Sequence, residues 1–131
     1  MAANIPYSRD FTLTVAGGTP STHELKFPHR GTLRSIAIKS VNGGGATGAG
    51  LSIGLYSANQ LTPGSPDNTR LLWSATPSGD THNTGNIDIA YTNREGSPSN
   101  PVSKLYAVIT AGGSGTKTVT VSLTCDVPTN I

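Results

Sequence analysis

Charge is what this sequence is shortest of. Charged residues make up 12% of the chain, about half the usual share of a soluble domain. Its polarity comes instead from hydroxyls and amides, which suit half-buried strands and tight turns and serve helices badly. The nine basic and seven acidic residues are scattered and leave a formal charge of +2, with no cluster of four or more Lys and Arg. No basic patch for nucleic-acid phosphates is therefore expected. Cys125 is the one cysteine, which excludes an internal disulfide and a cysteine-based metal cluster. No apolar run approaches the roughly 20 residues of a membrane span. The start, Met-Ala-Ala-Asn-Ile-Pro-Tyr-Ser-Arg-Asp, lacks the basic and apolar regions of a secretory signal, so synthesis and release in the cytosol are expected.

What is present is period-2 alternation between stretches of turn chemistry, the pattern of strands with one buried face. It predicts eight strands, at residues 10–16, 22–27, 32–41, 50–57, 70–75, 86–91, 103–110 and 116–126. Phe11, Leu13 and Val15 share one face of the first, and Val119, Val121, Leu123 and Cys125 one face of the last. In the third strand Ile36 and Ile38 fall in one phase while Leu33, Ala37 and Val41 fall in the other. In the seventh, Leu105, Ala107 and Ile109 oppose Tyr106 and Val108. Gly-rich turns at Ala16–Pro20 and Ala111–Gly115 supply positions that tolerate positive φ. The longer connections at 59–68, 76–85 and 92–101 suit crossings between two sheets. The expectation is an all-β, two-sheet antiparallel sandwich, jelly-roll-like in preference to immunoglobulin-like. Residues 1–9 are expected as an extended arm, 10–126 as the domain and 127–131 as a tail.

Chemistry is sparse. His23, His29 and His82 stand in no His-x-x-x-His or His-Glu-x-x-His spacing, and each of the seven acids is isolated. Asp80 to Asp88 is rich in oxygen donors that could wrap a cation, but it lacks the spacing of a calcium loop, and an ordinary turn is preferred. The Gly-x-Gly-x-x-Gly match beginning at Gly43 leads into a strand, so no helix N-terminus would hold a phosphate. Cys125 reads as a buried small apolar residue. The chain is accordingly expected to be no enzyme, with no catalytic residue, metal or cofactor. A hydrolase would need His82, Asp80 and a serine brought together by the loops.

Two features point to contacts instead. A two-layer sandwich should be wet on its outer faces, so the apolar second faces of strands three and seven call for a cover, either a partner or a loop of the same chain. Both ends are apolar and extended, with Ile5, Pro6 and Tyr7 at one and Val127, Pro128 and Ile131 at the other. With its Met-Ala-Ala-Asn-Ile-Pro-Tyr start, Thr/Gly/Ser/Asn-rich strands, lone Cys125 and charge-poor surface, the chain resembles in type the small decoration, or cement, proteins of tailed-bacteriophage capsids. The resemblance implies a non-enzymatic β-module at the virion's capsid surface, made in the host cytoplasm. Its implied partners are the major capsid protein and copies of itself in a homo-oligomer, with no nucleic acid or membrane. Ile5, Tyr7, Tyr106, Val108 and Ile131 are the expected contact residues. The alternative is a carbohydrate-binding module of a phage fibre or adhesin, stacking sugars on Trp73 with Tyr56 or Tyr91.

Overall fold

The alternating segments pair as two antiparallel sheets. The computed structural model describes residues 4–41, 51–76, 81–84, 87–93, 96–97, 100–112 and 115–128. Among them run β1 (Asn4–Ala16), β2 (Ser21–Lys26), β3 (Arg30–Val41), β4 (Ser52–Tyr56), β5 (Leu71–Ala75), β6 (Thr81–Thr84), β7 (Ile89–Thr92), β8 (Gly96–Ser97), β9 (Asn100–Pro101), β10 (Lys104–Thr110) and β11 (Thr116–Pro128). One sheet is ordered β1-β11-β3, with β6 and β7 both on the far side of β3; the other is ordered β2-β10-β4-β5, and β8 pairs only with β9. The expected two-sheet sandwich is the observed one.

The core lies between the sheets. Val15, Val119, Val121, Leu123 and Cys125 from the first sheet meet Leu25, Ile53, Leu55, Leu105, Ala107 and Ile109 from the second. Each such Leu or Ile removed from water contributes about 1.5–3 kcal/mol before entropy is counted. The expected glycine turns are used as glycines: Gly18 and Gly115 have φ of 83° and 87°.

β3 departs from its expected phase. Leu33, Ile36 and Ile38 are all buried in the one core, although 33 and 36 are out of step for a regular strand. The register explains it. Thr124 faces Ser35 while Cys125 faces Leu33, so Arg34 is an extra residue on β3. Such a bulge reverses the phase beyond it and lets Leu33 point inward with Ile36. Arg34 is thereby turned out, where its Nε donates to Asp126 Oδ2 at 2.8 Å and its Nη1 to Asp88 Oδ1 at 3.2 Å. On the open side of β3 the same irregularity divides the edge. β7 pairs with Arg30–Leu33 and β6 with Ile36–Lys39. β6 lies within a stretch expected to be loop, because Thr-His-Asn-Thr carries no apolar alternation; it joins the sheet by pairing with β3.

The chain ends also differ from the expected boundaries. Residues 4–9 continue β1 without a break, in register with 123–128 of β11. Residues 4–9 and 127–128 therefore belong to a sheet, since the apolar and hydroxyl alternation on either side of residue 10 permits the pairing to run on.

Candidate contact surface

Two apolar surfaces lie outside the main core, and they are treated differently. The first is the outer face of β10 and β4. Tyr106 stands between Glu24 and Tyr56, and Val108 between Thr22 and Gly54. A small second cluster of Tyr56, Tyr106 and Val108 forms there, with Leu71 against it. Tyr56 lies back along its own strand, so that a Cβ on Gly54 would come within 2.7 Å of the ring. A bulge sets Tyr56 opposite Leu71, with Leu55 opposite Trp73. Leu72 is the extra residue, and both Leu72 and Trp73 pack against the main core.

This face is closed by the connection 57–70. Its ends are tied by the Ser57 N–H donating to the Arg70 carbonyl at 2.9 Å. Gln60 is the strap: its carbonyl accepts from the Thr22 hydroxyl at 2.6 Å, its Oε1 from the Asp67 N–H at 2.6 Å, and its Nε2 donates to the Ala58 carbonyl at 3.0 Å. Asp67 then caps a single 3-10 turn at Asn68–Arg70, and the two bonds that it accepts from Thr69 hold its carboxyl below the usual range. Pro63, Gly64 and Pro66 line a depression of about 570 Å³ together with Tyr56 and Val108. Tyr106 and Val108 are accordingly 2% and 7% exposed within the single chain. As expected contact residues they are corrected: the cover that their strand called for is a loop of the same chain.

The second surface is open. β1 and β2 are the edge strands of the two sheets on one side of the sandwich. The odd residues of β1 face inward, but only from Phe11 onward does the second sheet cover them. Ile5 is 56% exposed and Tyr7 37%. The Tyr7 ring meets the edge of Phe27 at 5.2 Å, and Phe11 meets Phe27 at 6.2 Å. Arg9 stands between the two, its guanidinium 5.3 Å from the Phe11 ring centre and its Nη1 donating to the Lys26 carbonyl at 3.0 Å. Two expected contacts, Ile5 and Tyr7, are thus brought to one exposed edge, while Ile131 lies outside the described residues. Leu61, at 87% exposed, is a third large apolar side chain in water. No strand pattern could single it out, since it sits in an irregular loop.

Cys125 is fully buried, as expected, and burial pushes its thiol up, away from reactivity. Tyr91 is buried against it and donates its hydroxyl to the Pro28 carbonyl at 2.9 Å, in the space left by Gly31. Tyr56 and Tyr91 therefore present no face to a sugar, and Trp73 is partly covered by the core. Ser21 Oγ lies 2.8 Å from His23 Nε2, a bond that satisfies a half-buried imidazole. Asp80, the glycine match at Gly43 and the His82 side chain lie outside the described residues. Asp88 is engaged by Arg34. Among the described residues no three of His, Cys, Asp and Glu gather to hold a metal, and no helix is long and apolar enough to cross a membrane.

No known protein family's profile matches the chain, and no curated protein matches it in sequence. Solved structures do resemble it. A chain of the cyanophage Pam1 capsid asymmetric unit aligns over 97% of this chain and 85% of its own, at 13% identity and TM-score 0.46. The Aeromonas hydrophila PliG protein, a periplasmic inhibitor of g-type lysozyme, aligns over 92% and 86%, at 8% and 0.39. A turnip yellow mosaic virus chain aligns over 98% of each, at 14% and 0.34. Similarity at this level does not select a function, and these proteins differ widely in theirs.

Proposed function

We propose that the chain is a non-enzymatic structural protein of a virion, a decoration subunit that attaches to the capsid shell through the open β1 edge. The observation that carries this reading is Ile5 and Tyr7, left in water on a long edge strand, in a chain that takes care to cover Tyr106 and Val108. A domain able to seal one apolar face with its own loop leaves another open where something else is to seal it. On this reading the partners are the major capsid protein and further copies of the chain, and many weak contacts add up to the attachment. Among the described residues Tyr56 and Tyr91 are buried, so the sugar-binding alternative lacks the stacking partners that it would set beside Trp73.

Co-sedimentation tests the proposal. Purified chain mixed with empty shells of the virus that encodes it should pellet saturably. The double substitution Ile5→Asp and Tyr7→Asp should leave a folded chain in the supernatant. Wild-type chain that stays in the supernatant at every ratio overturns the reading.

A further inference from the structure

The open edge has a definite backbone phase. The Gly17 N–H donates to the Gly115 carbonyl at 2.8 Å, in direct continuation of the pairing of Ala16 with Thr116. Odd residues of β1 therefore direct their N–H and C=O groups toward β11, and even residues direct theirs toward the open side. Pro6 agrees with this phase, since a proline fits a strand without losing a ladder bond when its nitrogen faces outward. Ser8, Asp10, Thr12 and Thr14 thus present a row of backbone donors and acceptors to whatever lies alongside, and Pro6 ends the row.

The side chains beside that row are not neutral. A depression of about 530 Å³ at the Tyr7 end is floored by Tyr7, Phe27 and Pro28 and flanked by Arg9, Lys26 and Lys104, with no carboxylate in its lining. Lys104 reaches Glu24 at 3.1 Å on the outer face. The depression shares Arg9 and Lys26 with a second one of about 380 Å³, which runs on past Phe11 and Leu13 and adds the carboxylates of Asp10 and Glu24 to its lining. Together they form one groove along the edge, apolar and cationic at the Tyr7 end and of mixed charge beyond it, so the charge that selects a partner lies at the Tyr7 end. A second copy of β1 does not supply the complement, because its one carboxylate, Asp10, adjoins Arg9.

We propose that this groove docks an extended, acidic segment of another polypeptide, which adds to β1 over Ser8–Thr14 as a further strand and seats an apolar side chain on Tyr7 and Phe27. The inference rests on the contact-surface reading above and names its partner's chemistry. Backbone pairing gives the segment its register, alternate apolar side chains enter the groove, and its carboxylates meet Arg9 and Lys26.

Three synthetic peptides test it by amide shifts of the full chain: an octapeptide alternating glutamate and valine, its lysine–valine counterpart, and the glutamate peptide N-methylated at alternate residues. The glutamate peptide should shift the amides of Ser8, Asp10, Thr12 and Thr14. Its affinity should fall at least about tenfold in the Arg9→Glu, Lys26→Glu chain, as expected for losing two charge contacts. N-methylation should abolish binding. Thr12→Pro, which removes one outward N–H and keeps the bonds to β11, should abolish it too in a chain of unchanged melting temperature. Equal response to the lysine peptide, indifference to N-methylation, shifts confined to other strands, or no response overturns the proposal, as does concentration-dependent self-association through β1. Co-sedimentation with shells separates the two claims. Shell binding without peptide binding removes the groove and keeps the virion reading, and peptide binding without shell binding does the reverse.

Discussion

The outer face of β10 and the N-terminal half of β1 are both apolar surfaces beyond the central core, and only one of them is closed. On β10, Tyr106 and Val108 are sealed by the connection 57–70, strapped down at Gln60. On β1, Ile5 and Tyr7 have β11 beside them and no sheet in front. In sequence the two look alike, each a pair of large apolar residues in period-2 spacing. The difference lies in what the chain can bring back over them. The long polar loop after β4 returns across the second sheet, whereas β1 extends past the end of its opposing strand. An apolar face shows that a cover is required, and topology decides whether the cover is intramolecular.

The largest expected effect sets the two surfaces directly against each other. Tyr106→Asp should cost about 4 kcal/mol or more by burying an unpaired charge, whereas Ile5→Asp should change stability by about 0.5 kcal/mol or less, as surface substitutions do. Urea unfolding measures both, and equal losses would erase the distinction. Next in size, Gly54→Val forces the Tyr56 ring off its strand, given the 2.7 Å approach of a Cβ at that position. A loss of about 1–3 kcal/mol is expected, with fluorescence showing a more exposed tyrosine. Gln60→Ala should cost about 1–2 kcal/mol, because the Asp67 N–H loses its acceptor. It should also raise binding of a hydrophobic dye as the loop lifts.

The smallest effect lies at the border of the open edge. Burial lowers the pKa of His23. As the pH falls through the ordinary histidine value, the unfolded chain therefore takes up its proton first. The stability that His23 leaves intact above about pH 6.5 is lost progressively below it. The melting temperature should drop between about pH 7.5 and about pH 5.5, above the range where ordinary carboxylates titrate, and His23→Gln should shrink the drop. An unchanged drop would place the titrating group elsewhere.

Much of this was legible in the residues. The inward series of β1 and β11 follows from alternation, since Phe11, Leu13, Val15 and Val119 to Cys125 have one solution as strands with a buried side. That series reaches back to Lys117, 4% exposed, which a hydrophobic pattern passes over. The phase of β3 was not legible, because the bulge at Arg34 is defined only by the partner strand. Nor was β6, whose polar residues join the sheet through backbone bonds that any sequence can make. The residues expected to make contacts divide in the same way. The exposure of Ile5 and Tyr7 follows from their position in an apolar stub, while the burial of Tyr106 and Val108 needed knowledge of where 57–70 folds, and Leu61 carried no pattern at all.

Residue-resolved amide hydrogen exchange of the free, dilute chain tests the central claim most directly. An open β1 edge, set against a β10 paired on both sides by β2 and β4, predicts alternation along β1, with Tyr7, Arg9, Phe11 and Leu13 protected and Ser8, Asp10, Thr12 and Thr14 exchanging fast, beside uniform protection of Tyr106 to Ile109. Uniform protection along β1, or fast exchange at Tyr106 and Val108, would contradict it.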